Sequence, residues 1–402
     1  MKWRVVKLQC ITSKVGSGAT PRGGEEVYQT TGIPLIRSMN VHFDGFRRKG
    51  LAFISDEEAA LLDNVTVQPD DVLFNITGAS IGRVTTAPAE MAGARVNQHV
   101  CILRTTEVLR PRFLAYYLAT PDQQSAIRSN QVGGTRQAIT KALLLNWSVP
   151  LPPPSEQRRI VGFLEQADGL RRQRAEADRL AERILPAVFF KMFGDPGTNP
   201  KGWKTVDFES ACEDVTAGQI KTQQQDYLLS GAVPVIDQGQ SDIAGYTNDS
   251  AAMFQGALPI IAFGDHTRIF KFVEYPFCMG ADGLRVFSPR AGFDPRFVFW
   301  HLQMVRLPDA GYARHHKFLR QVRIMQPPPK SQEAFGRIAG NLKSTWAARK
   351  EAGRNIEVLF AVMLHRAFSG ELTAKWREAH MEELLVEMEQ QAKLLNKHTE
   401  VP

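Results

Sequence analysis

The chain has 402 residues, 43% hydrophobic and 23% charged, a balance that gives ample core and excludes disorder or collagen as the overall class. At ~150 residues per domain, this length predicts two or three domains. Lysine and arginine number 49 against 42 aspartate and glutamate, a net charge of +7, which keeps a polyanion among the partners to weigh. No apolar run is long enough to cross a membrane, and Met1-Lys2-Trp3-Arg4 opens without an apolar signal segment. Cys10, Cys101, Cys212 and Cys278 form no CxxC pair. They read as buried thiols of a reducing, cytoplasmic setting, with no metal site.

Along the chain, Asp71–Ile76 and Val96–Leu103 read as strands, and Arg112–Leu118 as a short helix. A long helical pattern follows Pro152-Pro153-Pro154. Ile160, Phe163, Ala167, Leu170, Arg174, Ala177, Ala181 and Ile184 recur at alternating steps of three and four, the seam of a coiled coil. Ser155 is the expected N-cap and Pro186 the expected break. Gly194-Asp195-Pro196-Gly197 is a linker. Leu258–Phe263 and Leu284–Phe287 then read as strands and Arg296–Gln303 as a helix. A second long helix follows Pro327-Pro328-Pro329, with Ser331 near its start. Its seam is Phe335, Ile338, Leu342, Thr345, Arg349, Ala352, Ile356 and Leu359, ending near Ser369-Gly370. Met381, Leu384, Met388, Gln391 and Leu395 mark a third helix, which either packs on the coiled coil or docks a partner.

The chain repeats itself. Trp3, Val6 and Gly18 recur as Trp203, Val206 and Gly218, and Pro111-Arg112-Phe113 recurs as Pro295-Arg296-Phe297. Each copy ends in a proline run and a long helix with arginine in its seam. The predicted fold class is α+β: two similar mixed α/β domains separated by long helices in an antiparallel coiled coil. Expected bounds are 1–152 and 196–328 for the domains, 153–195 and 329–370 for the helices, and 371–402 for a helical tail. Each copy has a basic stretch. Between Arg285 and Lys330 the acidic residues are Asp294 and Asp309, and between Arg83 and Lys141 they are Glu90, Glu107 and Asp122. Two basic stretches point to two polyanion contacts.

The block Pro150 to Val161, its sequel Leu164 to Arg172, and Met192-Phe193-Gly194-Asp195-Pro196 resemble the central conserved region of type I restriction-modification specificity subunits. Ala367 to Thr373 resembles that family's distal region. Trp3 to Leu8 with Gly18-Ala19-Thr20-Pro21, and Val233 to Ile236 with Ile243 to Tyr246, resemble its target recognition domains. The resemblance implies a non-catalytic DNA reader in host defence. Each domain would read one half of a bipartite double-stranded site, and the helices would dock two methyltransferase subunits. S-adenosylmethionine would sit on those partners, and ATP and Mg on two further motor-nuclease subunits, leaving no cofactor on this chain.

Candidate DNA contacts follow from residue type. Glutamine, asparagine and arginine read base edges, while lysine, arginine and glycine-rich turns meet phosphates. In the first copy these are Arg37, Asn40, Ser80 and Arg83, with Gly133, Gly134, Thr135, Arg136 and Gln137. In the second they are Gln238, Gln240, His266, Arg268, His315, His316, Lys317 and Arg320. No Walker A, no methyltransferase Asn/Asp-Pro-Pro-aromatic motif and no nuclease signature is present. The competing readings are a self-contained methyltransferase or nuclease with divergent motifs, and a coiled-coil scaffold blind to sequence.

Overall fold

The structure is a computed structural model that describes residues 2–129, 138–281, 283–308, 311 and 314–399. It divides into two compact units, Met1–Ala175 with Ala352–Pro402, and Glu176–Glu351.

In the first unit, β1 (Arg4–Lys7) leads to β2 (Thr12–Ser17), β3 (Ile33–Ile36), a small hairpin of β4 (Val41–His42) and β5 (Gly45–Phe46), and β6 (Ala52–Ile54). Helix α1 (Asp56–Leu61) precedes β7 (Val72–Asn75), β8 (Val84–Thr86), β9 (Arg95–Val96) and β10 (Val100–Thr105). Then come α2 (Pro111–Leu118), α3 (Pro121–Ser129), α4 (Lys141–Leu145) and β11 (Ser148–Leu151). A four-stranded sheet has the order β2-β10-β7-β8, a second sheet β6-β3-β9, and β1 pairs with β11. Alternation along the central strands supplies two cores. Phe74, Cys101 and Leu103 face α2, while Leu73, Val100 and Ile102 face the second sheet.

The second unit repeats this plan with β12 (Thr205–Asp207), α7 (Phe208–Ala211), β13 (Cys212–Asp214), β14 (Val233–Ile236), β15 (Gly245–Thr247), β16 (Ile260–Gly264), β17 (Phe270–Val273), β18 (Cys278–Met279) and β19 (Leu284–Pro289). Its sheets run β13-β19-β16-β17 and β15-β14-β18. After α8 (Pro295–Met304) and α9 (His316–Leu319), β20 (Arg323–Met325) pairs with β12. The repeat read from scattered residues is therefore a repeat of topology. The hairpin β4–β5 has no counterpart among the described residues of the second unit. The link from β3 to β6 covers residues 37–51, whereas that from β14 to β15 covers only 237–244.

Two long helices, α5 (Pro154–Glu182) and α10 (Pro329–Phe368), contribute residues to both units. In the first unit, Arg171 of α5 donates to both oxygens of Glu357 at 3.0 and 2.6 Å. In the second unit, Arg349 of α10 grips Asp178 at 2.9 and 2.8 Å. Within the first unit Ile160 and Leu164 share a core with Leu364 and Ala367 while the later Arg171 meets the earlier Glu357, so these segments of α5 and α10 run antiparallel. Arg349, an expected seam position, thus acts through an ion pair.

The seam itself is displaced from the expected one. Ile160, Leu164, Leu185, Phe189 and Phe193 are buried, but Leu170 is 63% and Leu359 62% exposed, with Ile184 and Ile338 also exposed. A helix of 3.6 residues per turn drifts ~20° per heptad from a strict 3.5 repeat. Asp168 and Arg171, paired at 3.1 Å, occupy the inward positions beside Leu170. The break also differs by a turn from its proline. α5 ends at Glu182, four residues before Pro186, because the proline ring displaces that carbonyl. α6 (Ile184–Phe193) then starts with Leu185, not Ile184, turned inward.

The head of each long helix is fixed by a buried glutamine. Gln157 Oε1 accepts from the Arg110 amide at 2.8 Å, and its Nε2 donates to the carbonyls of Val108 and Pro152 at 2.9 and 2.8 Å. Gln332 does the same to the Asp294 amide and the carbonyls of Pro327 and Gly292, at 3.0, 2.8 and 3.4 Å. Ser155 is no cap, since α5 begins at Pro154. Its amide and hydroxyl instead donate to Glu387 at 2.9 Å. Glu387 lies on the tail helix α12 (Met381–Thr399), which follows the short α11 (Ala374–Ala379). Gln391 of α12 donates to the same two carbonyls as Gln157, at 3.0 and 3.1 Å. Leu384 and Leu395 are buried with it. The tail therefore packs on the first unit at the head of α5.

Replacing Gln332 with leucine takes the partner from the buried Pro327 carbonyl, from the half-buried Asp294 amide and from the Gly292 carbonyl. At ~1–3 kcal/mol for each unsatisfied group, it should lower stability by several kcal/mol in a denaturant titration. A loss below about 1 kcal/mol would deny the glutamine this role. His301 gives a pH test. It is fully buried and accepts from the Met325 amide at 3.1 Å, and burial lowers its imidazole to about 4. The unfolded imidazole takes its proton near the ordinary 6.5, so stability is complete above that pH and falls as pH drops toward 4. A His301→Gln variant, which keeps an acceptor, should lose this acid sensitivity in melting curves between pH 6.5 and 4.

Candidate nucleic-acid interface

In the first unit a set of loops converges at the end of β7. Asn75 Nδ2 donates to the Ser38 carbonyl at 2.9 Å and to Ser80 Oγ at 3.1 Å, tying the loop after β3 to the turn before β8. The Ile139 amide reaches the Ile76 carbonyl at 2.9 Å and brings in the segment before α4. Thr77 Oγ1 meets His99 Nδ1 at 2.5 Å, and Gln98 Nε2 meets His99 Nε2 at 3.0 Å. The turn at Gly82 needs glycine: its φ is +85°, and an added Cβ would lie 2.7 Å from Gln124 Oε1. Gln124 in turn donates to the Gly82 carbonyl at 2.9 Å. This clamp presents Arg83, whose guanidinium has no partner among the described residues.

The expected contacts separate clearly. Arg83 and Ser80 lie at this loop cluster. Arg37 sits beside it but spends its guanidinium on Glu25 and the Gly50 carbonyl, both at 2.8 Å, and stacks over Tyr28. Asn40 is fully buried. Its side chain accepts from the Arg37 amide and donates to the Arg47 carbonyl, so it holds the loop and cannot meet a base. Gly133, Gly134, Thr135, Arg136 and Gln137 lie outside the described residues. Asn75, Thr77, Gln98 and His99 escaped the sequence reading. Their signal was the polar triplet Asn97-Gln98-His99, which breaks the expected strand into β9 and β10.

The second unit builds the corresponding cluster at the end of β16. The His315 amide donates to the Asp265 carbonyl at 3.0 Å, the counterpart of Ile139 on Ile76. Asp265 is buried and receives the His316 amide at 2.8 Å and His316 Nδ1 at 3.0 Å. Burial pushes its carboxyl up, but the two His316 bonds and nearby Arg285 outweigh that and hold it below its ordinary range. Gln238 Oε1 accepts from the His266 amide at 3.3 Å, and Thr267 Oγ1 donates to the Gln238 carbonyl at 2.6 Å. Arg268 follows at a φ of +62°. Gln240, Lys317 and Arg320 are exposed, with Arg320 also 3.3 Å from Glu209. His315 is only 1% exposed and serves the loop from inside; packing beneath α9 removes it from any DNA contact. Among the described residues no three His, Cys, Asp or Glu side chains form a metal site.

Residues 1–177 match the family model described as the type I restriction modification DNA specificity domain. The putative type I restriction enzyme MjaX specificity subunit of Methanocaldococcus jannaschii is 19% identical, across 93% of this chain and 94% of that one. Over most of its length the chain is thus similar to type I restriction-modification specificity subunits. The Escherichia coli EcoBI specificity subunit is 26% identical over 195 residues, 47% of this chain and 39% of its relative. The fold of this chain is also that of the M. genitalium S subunit, with a TM-score of 0.60 at 15% identity over 92% of this chain and 96% of that one. A chain from a structure of type I assembly and conformational transition gives 0.53 at 18%, over 92% and 98%. No helix among the described residues is long and apolar enough to cross a membrane.

Proposed function

We propose that this chain is the non-catalytic DNA reader of a type I restriction-modification complex. The observation that carries the reading is the doubled recognition fold, whose first copy lies within the stretch matching the DNA specificity domain. Each unit presents its own polar loop cluster at the end of the same strand of the same sheet. Two such readers serve a bipartite target, with one half-site for each and an unread spacer between. By the geometry of paired readers on one DNA face, half-site centres stand about one helical turn, ~34–36 Å, apart.

Within this reading the candidate contacts divide by chemistry. Arg83, Lys317 and Arg320 supply phosphate charge, which gives affinity and salt dependence. Ser80, Gln98, Gln238, Gln240, His266 and Arg268 are the candidates for base edges. The long helices dock two methyltransferase subunits, which bring S-adenosylmethionine and carry out the adenine methylation. Motor-nuclease subunits with ATP and Mg complete the restriction assembly. The chain itself holds no cofactor, and the cytoplasm is the compartment that offers it host DNA.

Replacing residues 200–328 with the matching segment of another specificity subunit should change one half of the methylated target and leave the other. A change in both halves would contradict two independent readers. An Arg83→Ala variant should weaken binding similarly on all sequences and reduce the slope of log affinity against log salt by about 1. A loss confined to one sequence would mark Arg83 as a base reader instead.

A further inference from the structure

The loops after β3 and β14 open the two recognition clusters, but they are held in different ways. In the first unit the Ser38 carbonyl accepts from Asn75, at the end of β7. The β4–β5 hairpin then folds back along β8. Asn40 braces that loop from inside, accepting from the Arg37 amide at 2.9 Å and donating to the Arg47 carbonyl at 2.8 Å. In the second unit the link is residues 237–244, which form no such hairpin.

This shorter loop has a different anchor. Lys271 of β17 stands opposite Ala262, the place that Thr85 of β8 takes opposite Leu73. Both positions are buried, so a lysine there must find its partners inside the protein. Its ammonium donates to the Asp237 carbonyl at 2.7 Å and to the Ser241 carbonyl at 2.6 Å, and the Asp237 carboxylate lies 3.7 Å away. Burial lowers the ammonium from its ordinary range, and Asp237 and Asp242 oppose that shift, so the loop that it holds also matches its charge. The two carbonyls bracket residues 238–240, and one cation draws both ends of the turn together. The Gly239 amide closes on Asp237 Oδ1 at 2.8 Å. The Gln238 amide lies against Gly283, where an added Cβ would stand 2.5 Å from its Nε2. Gln240, between the two anchored carbonyls, is exposed.

We propose that Lys271 is the positioning residue of the second reader: by holding the carbonyls of Asp237 and Ser241 it fixes the turn that presents Gln238 and Gln240, and so sets how strictly the second half-site is read. The proposal rests on the reading of the chain as a DNA-specificity subunit. Charge-assisted bonds are stronger than neutral ones, and moving the turn would leave a desolvated ammonium without acceptors. Lys271 acts from beneath the turn and makes no DNA contact of its own. The first unit reaches the same end with Asn40 and the hairpin.

The test uses the full chain with methyltransferase subunits and S-adenosylmethionine on random-sequence DNA, read as base preference around methylated adenine. Exchange of residues 200–328 assigns one half of the target to the second unit. Lys271→Met keeps the apolar stem and removes the donors. It should relax base preference in that half by about tenfold, the discrimination a good base contact supplies, and leave the other half and the gap as they were. Lys271→Gln, which keeps a donor group, should relax the same half less, and it serves the test if the methionine variant folds poorly. Val273→Ala, at a buried apolar position further along β17, should cost stability without relaxing either half. Unchanged preference in both Lys271 variants, a uniform fall in methylation with preference kept, or equal relaxation by Val273→Ala would overturn the proposal. A wild-type chain that directs no split motif would instead remove the reading beneath the proposal, and the proposal with it.

Discussion

A buried glutamine amide at the head of each long helix is the constraint from which the architecture follows. A reader of a split site needs each recognition unit held at a fixed pitch on its helix. Apolar packing alone gives area without direction. Gln157 and Gln332 supply direction, because each satisfies one amide and two carbonyls from the loop before α2 or α8 and from the proline run. Rotating the helix against its unit would break these bonds, and those to the carbonyls of Val108, Pro152 and Pro327 are buried, where a lost partner costs most. The aromatic cores then follow that orientation. Phe193 meets Phe297 at 4.8 Å in the second unit, and Phe368, at the far end of α10, meets Phe113 at 5.1 Å in the first.

The two copies stay alike in topology and differ where local chemistry demands compensation. Met325 carries an amide that needs an acceptor, and His301 provides it. The matching strand position in the first unit is Pro150, which has no such amide. Tyr117 there replaces the histidine and donates to the Ser148 carbonyl at 3.0 Å. The first unit also gains the tail. Glu156, fully buried, accepts from Trp3, Thr373 and Arg377 at 2.8, 2.6 and 2.7 Å, so strand, helix and tail meet at one carboxylate. Trp203 in the second unit donates instead to the Phe193 carbonyl.

Much of the fold was legible in the sequence because it rests on periodicity and repetition. The duplicated Trp, Gly and Pro-Arg-Phe positions announced two like units, and the proline runs announced two long helices. The seam was legible only to within one or two residues, since Leu170 competes with Asp168 and Ile184 with Leu185 for the inner face, and ion pairing and Pro186 decide. Individual loop residues were hardest. Asn40 and His315 carry the right chemistry for DNA contact, but their neighbours' unpaired amides and carbonyls draw them inward. Arg83 carries the same chemistry on a glycine-clamped turn that leaves it outward. Residue type gives capability, and only the hydrogen-bond partners decide how it is used.

The most direct measurement of the central claim is a map of methylated adenine on a random-sequence DNA library. The library is treated with the methyltransferase subunits and S-adenosylmethionine, with and without this chain. The account predicts methylation only with the chain present, at one split motif with a fixed unread gap. Methylation that does not need the chain, or that falls on a single contiguous motif, would contradict it.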